Sequence, residues 1–309
     1  MGTPEFAAVS LKVLIMAGHE LLSVVTQPDR PKGRGLELIP AAVKKVALEH
    51  QLTILQPEAV DTPEFIKLFR ELKPELVVVV AFGQKIPREI LFEPSYQCIN
   101  VHASLLPQYR GANPIQWSLL NGDQITGVTT MYMDEGWDTG DIIDQATLMI
   151  DLGENFSSLY QRLAELGGSL LVQTVAELET GLIRRIPQTH KLATKAPKLK
   201  PGQQLIEWSK SSQKIYNLVR ALAPQPGGET FLQGERLKII ATKIPEIDLT
   251  GTNQTPGTIL QISKREGILV ATGDQPLLIT EVQPLGKRMM SASEFANGRR
   301  LTTGMIFGS

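Results

Sequence analysis

The sequence predicts an α/β protein: a doubly wound sheet domain followed by a smaller β-rich domain. Three observations carry that prediction. Over residues 1–150, apolar β-branched stretches alternate with short helical patterns, as in strands joined by crossover helices. "ELVVVVAFG" (75–83) is continuously apolar, which suits a central parallel strand covered on both faces. After a proline-bearing stretch at 186–206, short strands recur with turns between them, the spacing expected of a small β-barrel of the oligonucleotide-binding type.

The elements follow in order. Thr3-Pro4-Glu5 opens a first helix with a hydroxyl N-cap, proline at N1 and an acid in the first turn, and Gly18 ends it. "LLSVVTQ" (21–27) reads as a strand, "PAAVKKVALEHQ" (40–51) as a helix and "LTIL" (52–55) as a short strand. "DTPEFIKLFREL" (61–72) is a helix that repeats the Thr-Pro-Glu-Phe start of residues 3–6. The strand at 75–83 is followed by strand "QCINVH" (97–102), helix "NPIQWSLLNG" (113–122) and strand "ITGVTTMYM" (125–133). A long helix is expected from about Asn155 to Gly181. "SKSSQKIYNLVRAL" (209–222) is a basic amphipathic helix, and strands are expected in "RLKIIATKI", "GTILQIS", "GILVATG" and "PLLITEV". Ser291-Ala-Ser-Glu294 is a capping box for a short helix.

The 309 residues suffice for two domains, and 42% hydrophobic with 20% charged residues is a globular composition. No apolar run is long enough to cross a bilayer, and no basic flank with an apolar core marks a signal peptide. Cys98 is the sole cysteine, so an intrachain disulfide and a cysteine metal cluster are excluded; a reducing, cytoplasmic setting is expected. The net charge of −1 hides an asymmetry. From Lys195 onward there are 15 Lys+Arg against 9 Asp+Glu, which suits an anionic partner for the C-terminal part.

In a doubly wound sheet, ligands lie outside the carboxyl ends of the strands. That rim carries the loops after Gln27, Ala81, Val101 and Met133. One of them reads "NVHASLLPQYRGANP", and Asn100 and His102, two apart at a strand end, point to the same side. An Asn amide and a His ring can polarise a carbonyl and stabilise the oxyanion formed on attack. The neighbouring loop "MDEGWDTGDI" offers Asp134, Asp138 and Asp141. A carboxylate beside His102 orients the ring and can accept the proton of an attacking amine. GxGxxG, GxxxxGK[ST], HExxH and GxSxG motifs are all missing, which argues against dinucleotide, P-loop, zincin and serine-nucleophile chemistry. Acyl or formyl transfer without a covalent enzyme intermediate suits the remaining set. Spacing alone leaves open an ordinary strand-end histidine beside a solvated or calcium-like loop.

"NVHASLLPQYRGANPIQW" together with "DEGWDTGDI" resembles the formyltransferases that use 10-formyltetrahydrofolate. "MGTPEFA", "QPDRPKGRG", "IEWSKSSQKIYNLVRALAPQPGG" and "GKRMMSASEFANGRRL" narrow the resemblance to the methionyl-tRNA branch of that family, over essentially the whole chain. The resemblance implies a Rossmann-like catalytic domain at 1–182, a linker at 183–207 and an OB-like tRNA-binding domain at 208–309. It implies formyl transfer from 10-formyltetrahydrofolate to the α-amino group of methionyl-initiator tRNA, with no metal, no membrane and a monomer. Asn100, His102 and Asp138 match the family's catalytic trio, Asp138 keeping His102 charged and oriented. The folate is expected against Phe82, Gly83, Ile86, Pro87, Ser104, Leu105, Leu106, Pro107, Asp134 and Asp141. Arg30, Lys32 and Arg34 in the loop 27–40 are expected to reach the tRNA acceptor end, with Lys198, Lys200 and Arg299 as further phosphate contacts. Two relatives on the same catalytic domain, sugar-nucleotide and purine-precursor formyltransferases, do not call for both the "RPKGRG" loop and the C-terminal 115 residues. A catalytically inactive α/β domain carrying an RNA-binding barrel is disfavoured by the intact trio. The internal echo "DTPEF" follows a strand, whereas "GTPEF" at residues 2–6 does not. A first strand upstream of Met1 is therefore expected, with unpaired backbone on its would-be neighbours.

Overall fold

Short β-branched runs separated by capped helices fold here into a computed structural model that describes residues 1–32, 37–246 and 254–308. The chain forms two compact units. The first comprises residues 1–114, 125–149 and 160–197, and the second 115–124, 150–159 and 198–308. In chain order the elements of the N-terminal half are α1 (Glu5–Met16), β1 (Val24–Val25), β2 (Arg30–Lys32), β3 (Glu37–Ile39), α2 (Ala42–Glu49), β4 (Ile54–Leu55), α3 (Pro63–Leu72), β5 (Val77–Val79), α4 (Arg88–Phe92), β6 (Cys98–His102), α5 (Pro114–Asn121), β7 (Ile125–Tyr132), β8 (Ile142–Met149) and α6 (Phe156–Thr180).

The Rossmann-like sheet is mixed and interrupted. β1 pairs with β4 in parallel, and β5 pairs with β6 in parallel, but β6, β7 and β8 run antiparallel. Among the described residues no strand fills the space between β1 and β5. Only Met1 and Gly2 cross it: the Gly2 N–H donates to Val25 O and the Val80 N–H to Met1 O. Below them lies a cavity of about 880 Å3 lined by Leu11, Leu14, Val24, Val25, Val77 and Val78, among others. One core of this unit gathers Val25, Phe65, Phe69, Val77, Val79, Ile90 and Cys98 beneath α3 and α4.

The two Thr-Pro-Glu-Phe sites differ. Thr62 caps α3, its hydroxyl accepting the Phe65 N–H at 3.3 Å. Thr3 does not cap α1, whose N-cap is Pro4 without a side-chain bond. Its hydroxyl instead lies between strand ends, 3.4 Å from the Gln27 N–H and 3.5 Å from Phe82 O. Competition from those backbone groups redirects the side chain. β8 escaped the sequence reading because Asp144, Gln145 and Ala146 are poor strand formers, although its exposure alternates as an edge strand requires. Part of the stretch read as linker runs along the first unit: Ile186 exchanges backbone bonds with Ile142, and Arg110 bridges Lys195.

The second unit contains α7 (Ser212–Leu222), β9 (Gly228–Leu232), β10 (Glu235–Lys243), β11 (Ile259–Ser263), β12 (Gly267–Val270), β13 (Leu277–Pro284), β14 (Met290–Ser291) and α8 (Ala292–Arg299). The strands form one antiparallel sheet in the order β11-β12-β13-β10-β9, with β14 on β13. No continuous ladder joins its edge strands among the described residues. The tail spans from one edge to the other through isolated bridges, Phe307 to Leu232 and Ile306 to Thr258. Trp208 stacks on Phe307 with ring centroids 5.6 Å apart and donates its indole N–H to Thr230 Oγ1. Ser291 and Glu294 form the expected capping box on α8.

Candidate active site

β6 sits between β5 and β7, with Asn100 opposite Val79 and Met131, and His102 opposite Thr129. The two-residue repeat of a strand puts Asn100 and His102 on one face. Both are buried, at 9% and 6% exposure. The His102 Nε2 lies 2.9 Å from the carbonyl oxygen of Tyr109. A carbonyl only accepts, so this nitrogen carries the proton, and in the neutral ring Nδ1 is the free acceptor. Nδ1 faces Asp138 Oδ1 at 3.7 Å. Among the described residues, no side-chain hydrogen bond satisfies the Asn100 amide, which leaves its N–H groups available to a ligand.

The Asp138 loop returns sharply on itself. Asp134 closes its first turn by accepting the Gly136 N–H and the Thr139 hydroxyl. At Gly140 a Cβ would stand 1.9 Å from Tyr132 O, so only glycine permits this close return. Asp138 adopts φ +55°, a left-handed conformation that suits Asp better than most residues. Its Oδ2 accepts the Gly111 N–H at 2.8 Å. Gly111, at φ +120°, would place a Cβ 2.8 Å from Ala196 O. Thus a glycine from the His102 loop orients the carboxylate of the neighbouring loop. Asn100, His102 and Asp138, 38 residues apart from first to last, meet at one rim of the sheet.

The positions expected to border the folate divide into two groups. Phe82, Ile86 and Leu106 bury their side chains in the core, and Ser104 is fully buried with its hydroxyl donating to Gln108 O. Those four side chains are turned into the protein. Phe82 O already receives the Gln27 amide. Gly83 is exposed, while Leu105, Pro107, Asp134 and Asp141 are partly exposed and Pro87 is the N-cap of α4. The hydroxyl of Thr129 and the amide of Gln145 hold the 104–107 segment through Ser104 O and Leu106 O.

The basic positions are also dispersed. Arg34 lies outside the described residues. Arg30 pairs with Glu58 at 2.7 Å on the exposed β2–β3 hairpin, which also carries Lys32. Lys44 pins the base of that hairpin through Asp29, and this hydrogen bond holds the Asp29 carboxyl below its ordinary range. Lys198 and Lys200 are exposed. Arg299 is held by Glu235.

Sequence reasoning missed three contributors: the Tyr109 carbonyl, the Gly111 N–H and the buried amide of Gln188. Backbone groups carry no sequence signature, and Gln188 lay in a segment read as linker. Among the described residues no cluster of three His, Cys, Asp or Glu side chains could hold a metal ion, and no helix is long and apolar enough to cross a membrane.

Comparison with known proteins covers nearly the whole chain. Residues 1–175 match the formyl transferase family model, and residues 198–300 match the model of the formyl transferase C-terminal domain. The methionyl-tRNA formyltransferase of Desulforamulus reducens is 46% identical over 308 residues, covering 100% of this chain and 96% of the relative. That of Thermodesulfovibrio yellowstonii is 47% identical over 304 residues, covering 98% and 96%. The solved N-formyltransferase of Helicobacter canadensis, with folinic acid and dTDP-3-aminofucose, superposes with a TM-score of 0.64 at 19% identity, covering 90% of this chain and 97% of that one; at that identity it shows the shared fold. With both domain models matched and full-length identity well above what chance or fold alone produces, the chain belongs to the methionyl-tRNA formyltransferase family.

Proposed function

We propose that this chain transfers the formyl group of 10-formyltetrahydrofolate to the α-amino group of methionyl-initiator tRNA, acting as a cytoplasmic monomer. The observation that carries the reading is the placement of Asn100, His102 and Asp138 at one strand end, in a chain whose full-length relatives bear that name. One chain supplies all three residues, so the site requires no second copy.

The amine nitrogen attacks the formyl carbon, and the carbonyl electrons move to oxygen. The Asn100 amide and the protonated His102 ring stabilise that oxyanion. The bond from the formyl carbon to N10 then breaks, with its electron pair left on N10. The Asp138 carboxylate takes up the amine proton while the protonated His102 ring gives its Nδ1 proton to N10, and the proton on Asp138 then restores the ring. Nδ1 of His102 is the exchanging atom, because Nε2 is committed to Tyr109 O. The folate is proposed to lie along the main chain of residues 82–87 and 104–107 and beside Asp134 and Asp141. Arg30, Lys32 and Arg34, with Lys198, Lys200 and Arg299, are proposed to meet tRNA phosphates.

The test is formyl transfer from 10-formyltetrahydrofolate to methionyl-initiator tRNA, with elongator methionyl-tRNA as control. Transfer to the initiator alone is the expected result. A folded protein that formylates neither would refute the reading, and the elution volume of the purified chain tests the monomer.

A further inference from the structure

Gln188 is polar, nearly buried at 6% exposure, and far from the trio in sequence. Its amide is fully used. Nε2 donates to Asp138 O at 3.0 Å and to Gly140 O at 2.7 Å. Oε1 accepts from Arg110 Nε at 3.0 Å and Arg110 Nη2 at 2.6 Å. Two donors and two acceptor positions are all an amide has. Arg110 in turn lies next to Gly111, whose N–H binds the Asp138 carboxylate, and its main chain pairs with residues 194–196. The side chain is therefore a strut between the two loops that carry His102 and Asp138.

The geometry points to Gln188 as a positioning residue for the reaction: through the main-chain carbonyls of Asp138 and Gly140, it holds the Asp138 carboxylate against His102. This rests on the proposed function above. Asp138 sits in a left-handed conformation that neighbouring contacts must maintain. Gly111 fixes one carboxylate oxygen, and Gln188 fixes the backbone from which the side chain springs. Losing the strut lets the loop relax while leaving the substrate-facing groups in place. The expected consequence is a fall in turnover with little change in substrate affinity.

Glutamate separates this role from simple packing. Gln188→Glu keeps the size and an acceptor oxygen for Arg110, so that contact is retained as an ion pair. It removes both N–H groups and sets a carboxylate against two carbonyl oxygens. Gln188→Asn keeps the amide but shortens its reach. Both variants are assayed for formyl transfer alone and combined with Asp138→Asn, with thermal unfolding as the folding check. In the otherwise unchanged protein, Gln188→Glu is expected to lower kcat by roughly 10- to 100-fold, with KM for both substrates within about twofold and a smaller loss in Gln188→Asn. In the Asp138→Asn background, the further loss is expected to be under about twofold, because the group being positioned is already disabled. An undisturbed kcat would overturn the inference. So would equal losses in both backgrounds, a change confined to KM, or failure of both variants to fold, which would make Gln188 a support of the unit rather than of the reaction. An unaltered chain without formyl transfer would refute the underlying reading itself.

Discussion

Asp138 turns one carboxylate oxygen towards His102 Nδ1, at 3.7 Å, and gives the other to the Gly111 N–H. The pair is largely shielded from water, with side-chain exposures of 7% for His102 and 16% for Asp138. A shielded carboxylate of this kind orients the ring and compensates its charge when protonated. His102→Ala and Asp138→Asn should each lower kcat by about 10² to 10⁴-fold, the usual range for a proton-transfer group. Their unfolding temperatures should stay near that of the unaltered chain. Near-normal turnover in either would remove that residue from the mechanism.

Gly111 is placed under two constraints at once. Its φ of +120° and the 2.8 Å approach of a Cβ to Ala196 O leave no room for a side chain. Gly111→Ala should cost more than about 1 kcal/mol, since a left-handed site strains an alanine. It should also weaken catalysis by moving the donor away from Asp138. A melt and a kinetic assay on one preparation read both effects; a variant with unaltered turnover would mean that the N–H contact is dispensable.

Cys98 lies on β6 with Asn100 and His102, fully buried, with its thiol pushed up to about 12 by burial. The neutral thiol is the form that the core accepts. In the unfolded chain it ionises near the ordinary thiol value of 9.0. The thiol therefore contributes stability that is complete below about pH 9 and is lost as pH rises towards 12, with a limiting slope of about 1.4 kcal/mol per pH unit. Denaturant midpoints at pH 8, 9.5 and 10.5 should fall more steeply for this chain than for Cys98→Ala. Alkylation of the native thiol should be slow and should accelerate only on unfolding.

Trp137, beside Asp138, is 66% exposed, whereas Trp208 is buried against Phe307. A folate bound at this rim should change the emission of Trp137. Titration with tetrahydrofolate should shift the fluorescence of the unaltered chain, and Trp137→Phe should abolish most of that shift. An equal response in the variant would place the folate away from this loop.

Arg34 and Arg299 test the proposed tRNA contacts of each domain separately. Arg34→Ala should raise the KM for tRNA with little effect on the folate KM, and the loss should shrink at high salt, as phosphate contacts do. Arg299→Ala should have the smaller effect, because Glu235 already occupies its guanidinium. Equal losses for both ligands with Arg34→Ala would indicate a folding defect.

Much of this was legible in the residues. Continuous apolar character marked 75–83 as a buried strand; its hydrogen-bonded core is Val77–Val79. The Thr-Pro start of α3 and the capping box of α8 were local chemistry and held. Thr3 failed the same test because two non-local backbone groups outcompeted its own helix. The mixed direction of the sheet was not legible, since antiparallel and parallel partners can share one strand pattern. Nor were β9 and β14, whose short runs of mixed polarity pair only once their neighbours are in place.

By itself, the sequence determined which chemistry was available: an Asn and a His two apart at a strand end, an acidic glycine-bearing loop, one cysteine and a basic C-terminal part. Those are properties of residue type and local period, which neighbours in the chain suffice to define. Only the tertiary structure decided that Nδ1 of His102 faces Asp138, that Gly111 bonds that carboxylate and Gln188 the main chain behind it, and that, among the described residues, Met1 and Gly2 lie between β1 and β5. These are relations between backbone groups and side chains distant in sequence. Packing and the need to satisfy every buried donor and acceptor set them, and no local pattern encodes them.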